Sequence, residues 1–260
     1  MLGYLSRVWK LRYFWWALVR IDLRKRYRGS AIGMGWSLLQ PIAMTIVLSM
    51  VFSQIFQQDL RTYVPYLLSG LTVWSFITAV MMQGCQCFFS GEAYIRQHPA
   101  PLAIYPLRVI MGASVHLLLG LSVVLSLAWC LHGFGNLPAL ISLVPALALL
   151  LVFAWSLAIC AGVVNVLFQD TVHLTEIVLQ VLFYLTPIIY SADVLRQRHL
   201  AWFLGMNPFA AFLTLVREPI LEGHFASWQV FAMAGLGALI PAAVAALLLS
   251  RIERRLIFYL

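Results

Sequence analysis

The chain has 260 residues, 63% of them hydrophobic and 10% charged, with a net charge of +8. This is more apolar surface than a soluble domain of that size hides, which excludes a water-solvated globular enzyme and makes lipid the expected solvent. A helix needs about 20 mostly apolar residues to cross the hydrocarbon core.

The segment 1–30 cannot cross. Arg7, Lys10, Arg12, Arg20, Arg24, Lys25, Arg26 and Arg28 are spread through it, and its longest uncharged run, Tyr13 to Val19, is too short for a span or a cleaved signal. Leu5, Val8, Trp9, Trp16, Val19 and Leu23 recur at helical steps between the charges, which predicts an amphipathic helix lying in the cytoplasmic interface. Six apolar stretches follow: Ala31 to Phe56, Tyr63 to Phe89, Ile110 to Leu131, Leu137 to Gln169, Ile177 to Tyr190 with a few residues before it, and Phe225 to Ser250. The fifth is the weakest, with Glu176 at its start and Pro187 near its end. The expected architecture is an all-α integral membrane protein forming a single transmembrane domain: an interface helix over 1–30, a six-span bundle over 31–250 and a cytoplasmic tail over 251–260.

Basic residues orient the spans, because Lys and Arg near span ends favour the cytoplasm. With the N-terminus inside, only Arg61, Arg196, Arg198 and Arg217 of the 17 Lys and Arg lie outside. Both termini are therefore expected in the cytoplasm. The outer segment Ser191 to Ala226 holds apolar runs, Leu200 to Leu204 and Phe209 to Val216, too short to span, and two short re-entrant or interfacial helices fit them.

The residues supply little chemistry for catalysis. Cys85 and Cys87, two apart on a helix, point to nearly opposite faces, and Cys130 and Cys160 read as small apolar residues. A phosphate-binding loop would need a lysine after glycine, and neither Lys10 nor Lys25 follows one, so no ATPase of that type is expected in this chain. The histidines are scattered, and no metal site is proposed. The carboxylates Asp22, Asp59, Glu92, Asp170, Asp193, Glu218, Glu222 and Glu253 fall at span ends, with Glu176 barely inside, which disfavours an ion-coupled carrier. His116 is set within a span and reads as a neutral histidine bonded to a neighbouring helix.

From Asp22 to Pro41 the chain reads DLRKRYRGSAIGMGWSLLQP, a basic cluster followed in order by Tyr27, Ser30, Gly33, Trp36 and Pro41. It continues with Ser69, Gly70 and Trp74; Ile95, Arg96 and Gln97; Pro101, Tyr105 and Arg108; Asp170; Thr186 to Tyr190; Asn207 and Pro208; and Arg217, Glu218 and Pro219. Together these resemble the permeases of the ABC type-2 family that export polysaccharides such as O-antigen, capsule and teichoic acid. Arginines often precede the family's counterpart of Asp170, whereas this chain has Asn165 to Gln169 there. The resemblance implies six spans, a homodimer, two ATP-binding cassette subunits on the cytoplasmic face, and a glycan carried on undecaprenyl diphosphate, in a bacterial inner membrane. No cofactor is implied in this chain, since ATP and Mg belong to the partner subunit, and no nucleic acid is implied.

A glycan leaves its hydroxyls unsatisfied in lipid, at roughly 2–7 kcal/mol each, so it needs an enclosed polar or aromatic path. Trp36, Tyr63, Tyr66, Trp74, Phe76, Tyr184 and Tyr190 are the candidate substrate-contacting aromatics, and membrane-interface anchoring is the other reading of them. Arg24, Lys25, Arg26 and Arg28 are candidate partners of the diphosphate, or else of anionic lipid head groups. By resemblance, Glu92, Arg96 and Pro101 contact the partner ATPase, with a passive turn as the alternative. Two other readings are a permease for a drug or small lipid, and a membrane-embedded transferase acting on a polyprenyl lipid through Glu92 and His98.

Overall fold

A computed structural model of the protein describes residues 2–97, 100–133, 137–192, 201–253 and 255–260. The regular elements among them are all helices. At the N-terminus lie α1 (Leu2–Lys10) and α2 (Arg12–Tyr27), followed by α3 (Trp36–Phe56), which continues a short tight turn at Gly33–Gly35. Next come α4 (Leu60–Cys85), α5 (Glu92–Gln97), α6 (Ile104–His132), α7 (Leu137–Leu140), α8 (Leu143–Leu167) and α9 (Thr171–Leu185). The chain ends with α10 (Ala201–Met206), α11 (Pro208–Arg217) and α12 (Trp228–Ile252).

Five stretches are long and apolar enough to cross a bilayer: Gly33–Phe56, Leu60–Cys85, Ile104–Leu131, Leu137–Leu167 and Trp228–Ile252. They coincide with five of the six expected spans, with informative differences at the ends. The second begins before Arg61 because Asp59 caps it, accepting from the Arg61 N–H at 3.2 Å. The third begins at Ile104 rather than Ile110 because Arg108, the charge that should have stopped it, pairs with Asp22 of α2. α9 is shorter, 15 residues or about 22 Å of helix. It starts beside the end of α4, where Thr175 Oγ1 lies 3.6 Å from Cys85 Sγ. Its irregular continuation, Thr186 to Tyr190, reaches Tyr63 near the start of α4, whose hydroxyl donates to Ile189 O at 2.7 Å.

α4 is the post of the bundle. It packs against α3, α6, α8, α9 and α11 and is 67% buried over its most apolar stretch, against 22% for the first and last of the five. Lipid provides no hydrophobic drive between helices, so close packing of small residues does the work. At the α4–α8 crossing Gly84 and Gly162 bring the backbones together, and a Cβ on Gly162 would stand 2.8 Å from Gly84 O. Toward α4, α3 turns Pro41, Thr45, Ser49 and Ser53, one per turn, leaving larger residues such as Ile46, Val47, Met50 and Val51 facing outward.

The segment 1–30 forms two helices rather than one, broken at Leu11. α2 lies along α6 with Leu18 and Val19 buried. A second apolar cluster gathers Val8, Phe88, Ile95, Leu102, Tyr105, Leu249 and Leu256. It joins the N-terminal helix, the α4–α6 connection and the end of α12 at one pole of the bundle. Tyr4 ties these together: its hydroxyl donates to Glu253 Oε1 at 2.9 Å and accepts from the Ala103 N–H at 3.3 Å. Burial pushes the Tyr4 hydroxyl well above its ordinary range, which keeps it a donor.

Gly162→Val forces its side chain onto Gly84 O, Cys87 Sγ and Phe88, all within 2.9 Å of the first added carbon. We expect a loss of about 1–3 kcal/mol, read as a lowered melting temperature of the purified protein. Gly112→Ala, where nothing lies within 4 Å, should leave the melting temperature unchanged or raise it.

Candidate functional site

Two cavities open along α3 and α4, one toward each pole. The one at the pole of α2, inner in the orientation expected from the charges, is ≈ 210 Å³ and is walled by Arg26 and Tyr27 of α2, Trp36, Ser37, Gln40 and Pro41 of α3, Thr72, Ser75 and Phe76 of α4, and His116 of α6. Helix geometry selects Arg26 for it. At 100° per residue, Arg26 points away from Arg24 and Arg28. Those two, with Lys25, line an open groove of ≈ 660 Å³ on another side of α2, and Tyr27 borders both spaces. The Tyr27 hydroxyl lies 3.1 Å from His116 Nε2, so the histidine is bonded to a neighbouring helix as its position suggests. Thr72 Oγ1 is buried with no hydrogen-bond partner among the described residues.

Asp22 and Arg108 secure the base of α2. Both carboxylate oxygens accept from the guanidinium, through Nε and Nη2, with the arginine side chain 11% and the aspartate 36% exposed. Asn165 performs a similar service at the end of α4, where its Nδ2 donates to Cys85 O at 2.8 Å. This is the segment in which the chain lacks the arginines expected by resemblance.

The outer cavity, ≈ 400 Å³, is lined by Phe56, Gln58, Thr62, Tyr63, Tyr66, Ile189, Tyr190 and Ser191. Tyr63 and Tyr66 stack at 6.4 Å with an interplanar angle of 17°. Their hydroxyls are occupied: Tyr63 donates to Ile189 O, and Tyr66 lies within hydrogen-bonding distance of both Pro187 O (3.2 Å) and Tyr190 O (2.9 Å). The rings, rather than the hydroxyls, are left to face the cavity.

The other candidate residues are dispersed. Trp74 is buried between Phe183 and Phe209, at 5.9 and 5.7 Å, while Phe76 is buried at the wall of the inner cavity. Trp36 and Tyr184 are exposed, and Tyr184 O accepts from the Tyr190 hydroxyl. Glu92 and Arg96 form an ion pair at 2.8 Å across one turn of α5, open to solvent, and Pro101 is buried in the turn leading to α6. His98, proposed with Glu92 for the transferase reading, lies outside the described residues. Sequence reasoning missed the roles of Asp22, Arg108, Asn165 and Arg217. Polar residues with opposite or complementary character at span ends were the available signal, but pairing partners distant in sequence are not legible without the fold.

Apolar helices of spanning length packed around a shared apolar core, with cavities opening between them, define a multi-pass integral membrane protein. The chain belongs to the ABC-2 type transporter family, which it matches over residues 13–221. It is 23% identical over 241 residues to the O-antigen export system permease protein RfbA of Myxococcus xanthus, covering 91% of this chain and 92% of that protein. It is 24% identical over 205 residues to an O-antigen export system permease protein RfbA of Klebsiella pneumoniae, covering 78% of each. To the polysialic acid transport protein KpsM of Escherichia coli it is 18% identical over 211 residues, covering 80% of this chain and 81% of that protein.

Asp22→Asn leaves the mostly buried Arg108 guanidinium without its counter-charge. We expect a loss of about 1–2 kcal/mol, below the range for fully buried pairs because Asp22 is partly exposed. The double variant Asp22→Asn with Arg108→Leu should recover most of that loss in thermal unfolding, since no charge is then stranded.

Proposed function

We propose that this chain is the membrane-spanning subunit of an ATP-driven exporter that moves a polyprenyl-diphosphate-linked polysaccharide, O-antigen being the favoured class, across a bacterial inner membrane. The observation that carries the reading is a pair of cavities bordered by opposite ends of α3: a cationic and aromatic chamber at Arg26, Tyr27 and Trp36, and an aromatic one at Tyr63, Tyr66 and Tyr190. Between them α3 buries Thr45, Ser49 and Ser53 against α4, with Thr45 and Ser49 donating to carbonyls of their own helix; in this reading α3 parts from α4 to bring these hydroxyls to the sugar chain. Relatives named for O-antigen export and polysialic acid transport support a glycan as cargo.

In this reading the working unit is a homodimer with two ATP-binding cassette subunits, which hold ATP and Mg on the cytoplasmic face. α9 and its extended continuation form a sixth crossing, supported by their running from Cys85 to Tyr63, the two ends of α4. An even number of crossings puts both termini on one side, consistent with the Tyr4–Glu253 contact, and the positive inner charge makes that side the cytoplasm. α1 and α2 then form the interface region, α10 and α11 the outer re-entrant pair, and Glu92, Arg96 and Pro101 the region that meets the ATPase. Arg26 is the diphosphate partner facing the inner cavity, while Arg24, Lys25 and Arg28 hold lipid head groups at the open groove.

Co-expression with the genes beside this one should yield a complex containing an ATPase in equal stoichiometry, whose ATP hydrolysis in nanodiscs rises on addition of lipid-linked glycan. Arg26→Gln should raise the half-saturating glycan concentration about tenfold or more, the scale of one lost charged hydrogen bond, and Arg24→Gln much less. Purification without an ATPase, together with modification of a polyprenyl-linked sugar by the chain alone, would overturn the proposal in favour of a transferase.

A further inference from the structure

Thr186 to Tyr190 leave the helical ladder in the outer part of the bundle, so their carbonyls lose the N–H donors that a continued helix would provide. Four consecutive ones are met by side chains from other helices. Arg217 donates through Nη1 to Pro187 O at 2.6 Å and through Nη2 to Ile188 O at 3.0 Å. Tyr63 supplies Ile189 O and Tyr66 supplies Tyr190 O. Arg217 reaches α4 as well: Nη2 lies 3.2 Å from Tyr66 O, Nε 3.4 Å from Ser69 Oγ, and the guanidinium carbon 3.6 Å from the centre of the Tyr66 ring. Its side chain is buried.

Two further features show that this region is shaped around the arginine. Gly70 sits where the guanidinium crosses α4, and a Cβ there would stand 2.3 Å from Nη2. At the other end of α11, Asn207 donates to Thr186 Oγ1 at 3.0 Å while its Oδ1 caps the helix through the Phe209 N–H. α11 is thus clipped to the break at both ends. A planar fork of five donors can serve several acceptors at once in fixed directions, which the single ammonium of lysine cannot reproduce.

We propose that Arg217 is the positioning residue of the outer mouth: it holds the broken end of α9 and the Tyr66 ring in register, so that Tyr63 and Tyr66 wall the outer cavity and α11 moves with α9 as one body. Its importance for export rests on the transport reading above. The geometry of the mouth does not, and the test separates them.

A single cysteine at Thr62, on the outer cavity, is introduced into a full-length chain whose native cysteines are replaced, co-expressed with its ATPase. Its labelling rate by a membrane-impermeant thiol reagent is measured beside glycan export and basal ATP hydrolysis. Arg217→Gln should speed labelling about tenfold, the scale expected for losing hydrogen bonds from a charged donor, and reduce export while basal hydrolysis is retained. Arg217→Lys should fall between. Gly70→Ala should reproduce the arginine variant when Arg217 is present yet add little in the Arg217→Gln background, where the 2.3 Å contact with Nη2 is gone and only a 3.3 Å approach to Ile188 Cγ2 remains; a residue serving only general packing would give additive effects. If Arg217→Gln does not assemble, Gly70→Ala and Arg217→Lys, singly and combined, make the same comparison. Unchanged labelling in the variants, or additivity between positions 70 and 217, would overturn the positioning role. Altered labelling in a complex whose unmutated form exports no glycan would uphold it and overturn the transport reading instead.

Discussion

Carbonyl groups that leave a helix inside an apolar surround must find donors, because no water is there to supply them. The stretch from Pro187 to Tyr190 meets this demand with Tyr63, Tyr66 and Arg217. Much of the outer pole follows from that requirement. Tyr63 and Tyr66 must be three apart on α4 so that both face the break, α11 must end where Arg217 can reach it, and residue 70 must be a glycine for the guanidinium to pass. The same rule recurs at the opposite end of α4, where Asn165 meets Cys85 O. α4 is accordingly a post whose two ends are both tied by side chains from other helices.

At the inner pole charge pairing is added to backbone demand. Asp22 and Arg108 bind α2 to the base of α6 and so decide its rotation. Once that rotation is set, the basic run cannot act as one cluster: Arg26 enters the inner cavity, and Arg24, Lys25 and Arg28 face an open groove. A helix separates neighbours in sequence by 100°, so a dense run of cations divides between surfaces with different surroundings. Arg26 borders the cavity beside Trp36, Tyr27 and His116 while remaining exposed, so what distinguishes it from its neighbours is the company of those rings.

Tyr63, Tyr66 and Tyr190 were legible as aromatic candidates, and all three line the outer cavity. Their other use, tying down a broken helix, was not legible, because it depends on which carbonyls lie opposite. Trp74 had the same composition signal and sits instead in a buried aromatic group with Phe183 and Phe209. Arg217 read as one of the few outer basic residues and as part of the Arg217 to Pro219 segment of the resemblance, with no role attached. Arg108 read as the boundary of a span, whereas the helix runs through it from Ile104, since a paired charge no longer ends a buried segment.

The sequence by itself determined that the chain is all-helical and lives in lipid, where five of its spans lie, and which pole carries the positive charge. Hydropathy and charge count are properties of single residues and short windows, so they survive without knowledge of the fold. Only the tertiary structure decided that α4 stands at the centre, that the Arg26 side of α2 is the one that borders the inner cavity, and that residues 187–190 are held by donors from α4 and α11. Those outcomes rest on groups from different helices meeting at hydrogen-bond distance, some more than a hundred residues apart, as with the Tyr63 hydroxyl and Ile189 O or Arg217 and Ser69. Distance and direction of that kind arise when helices pack, and no local pattern in the chain encodes them.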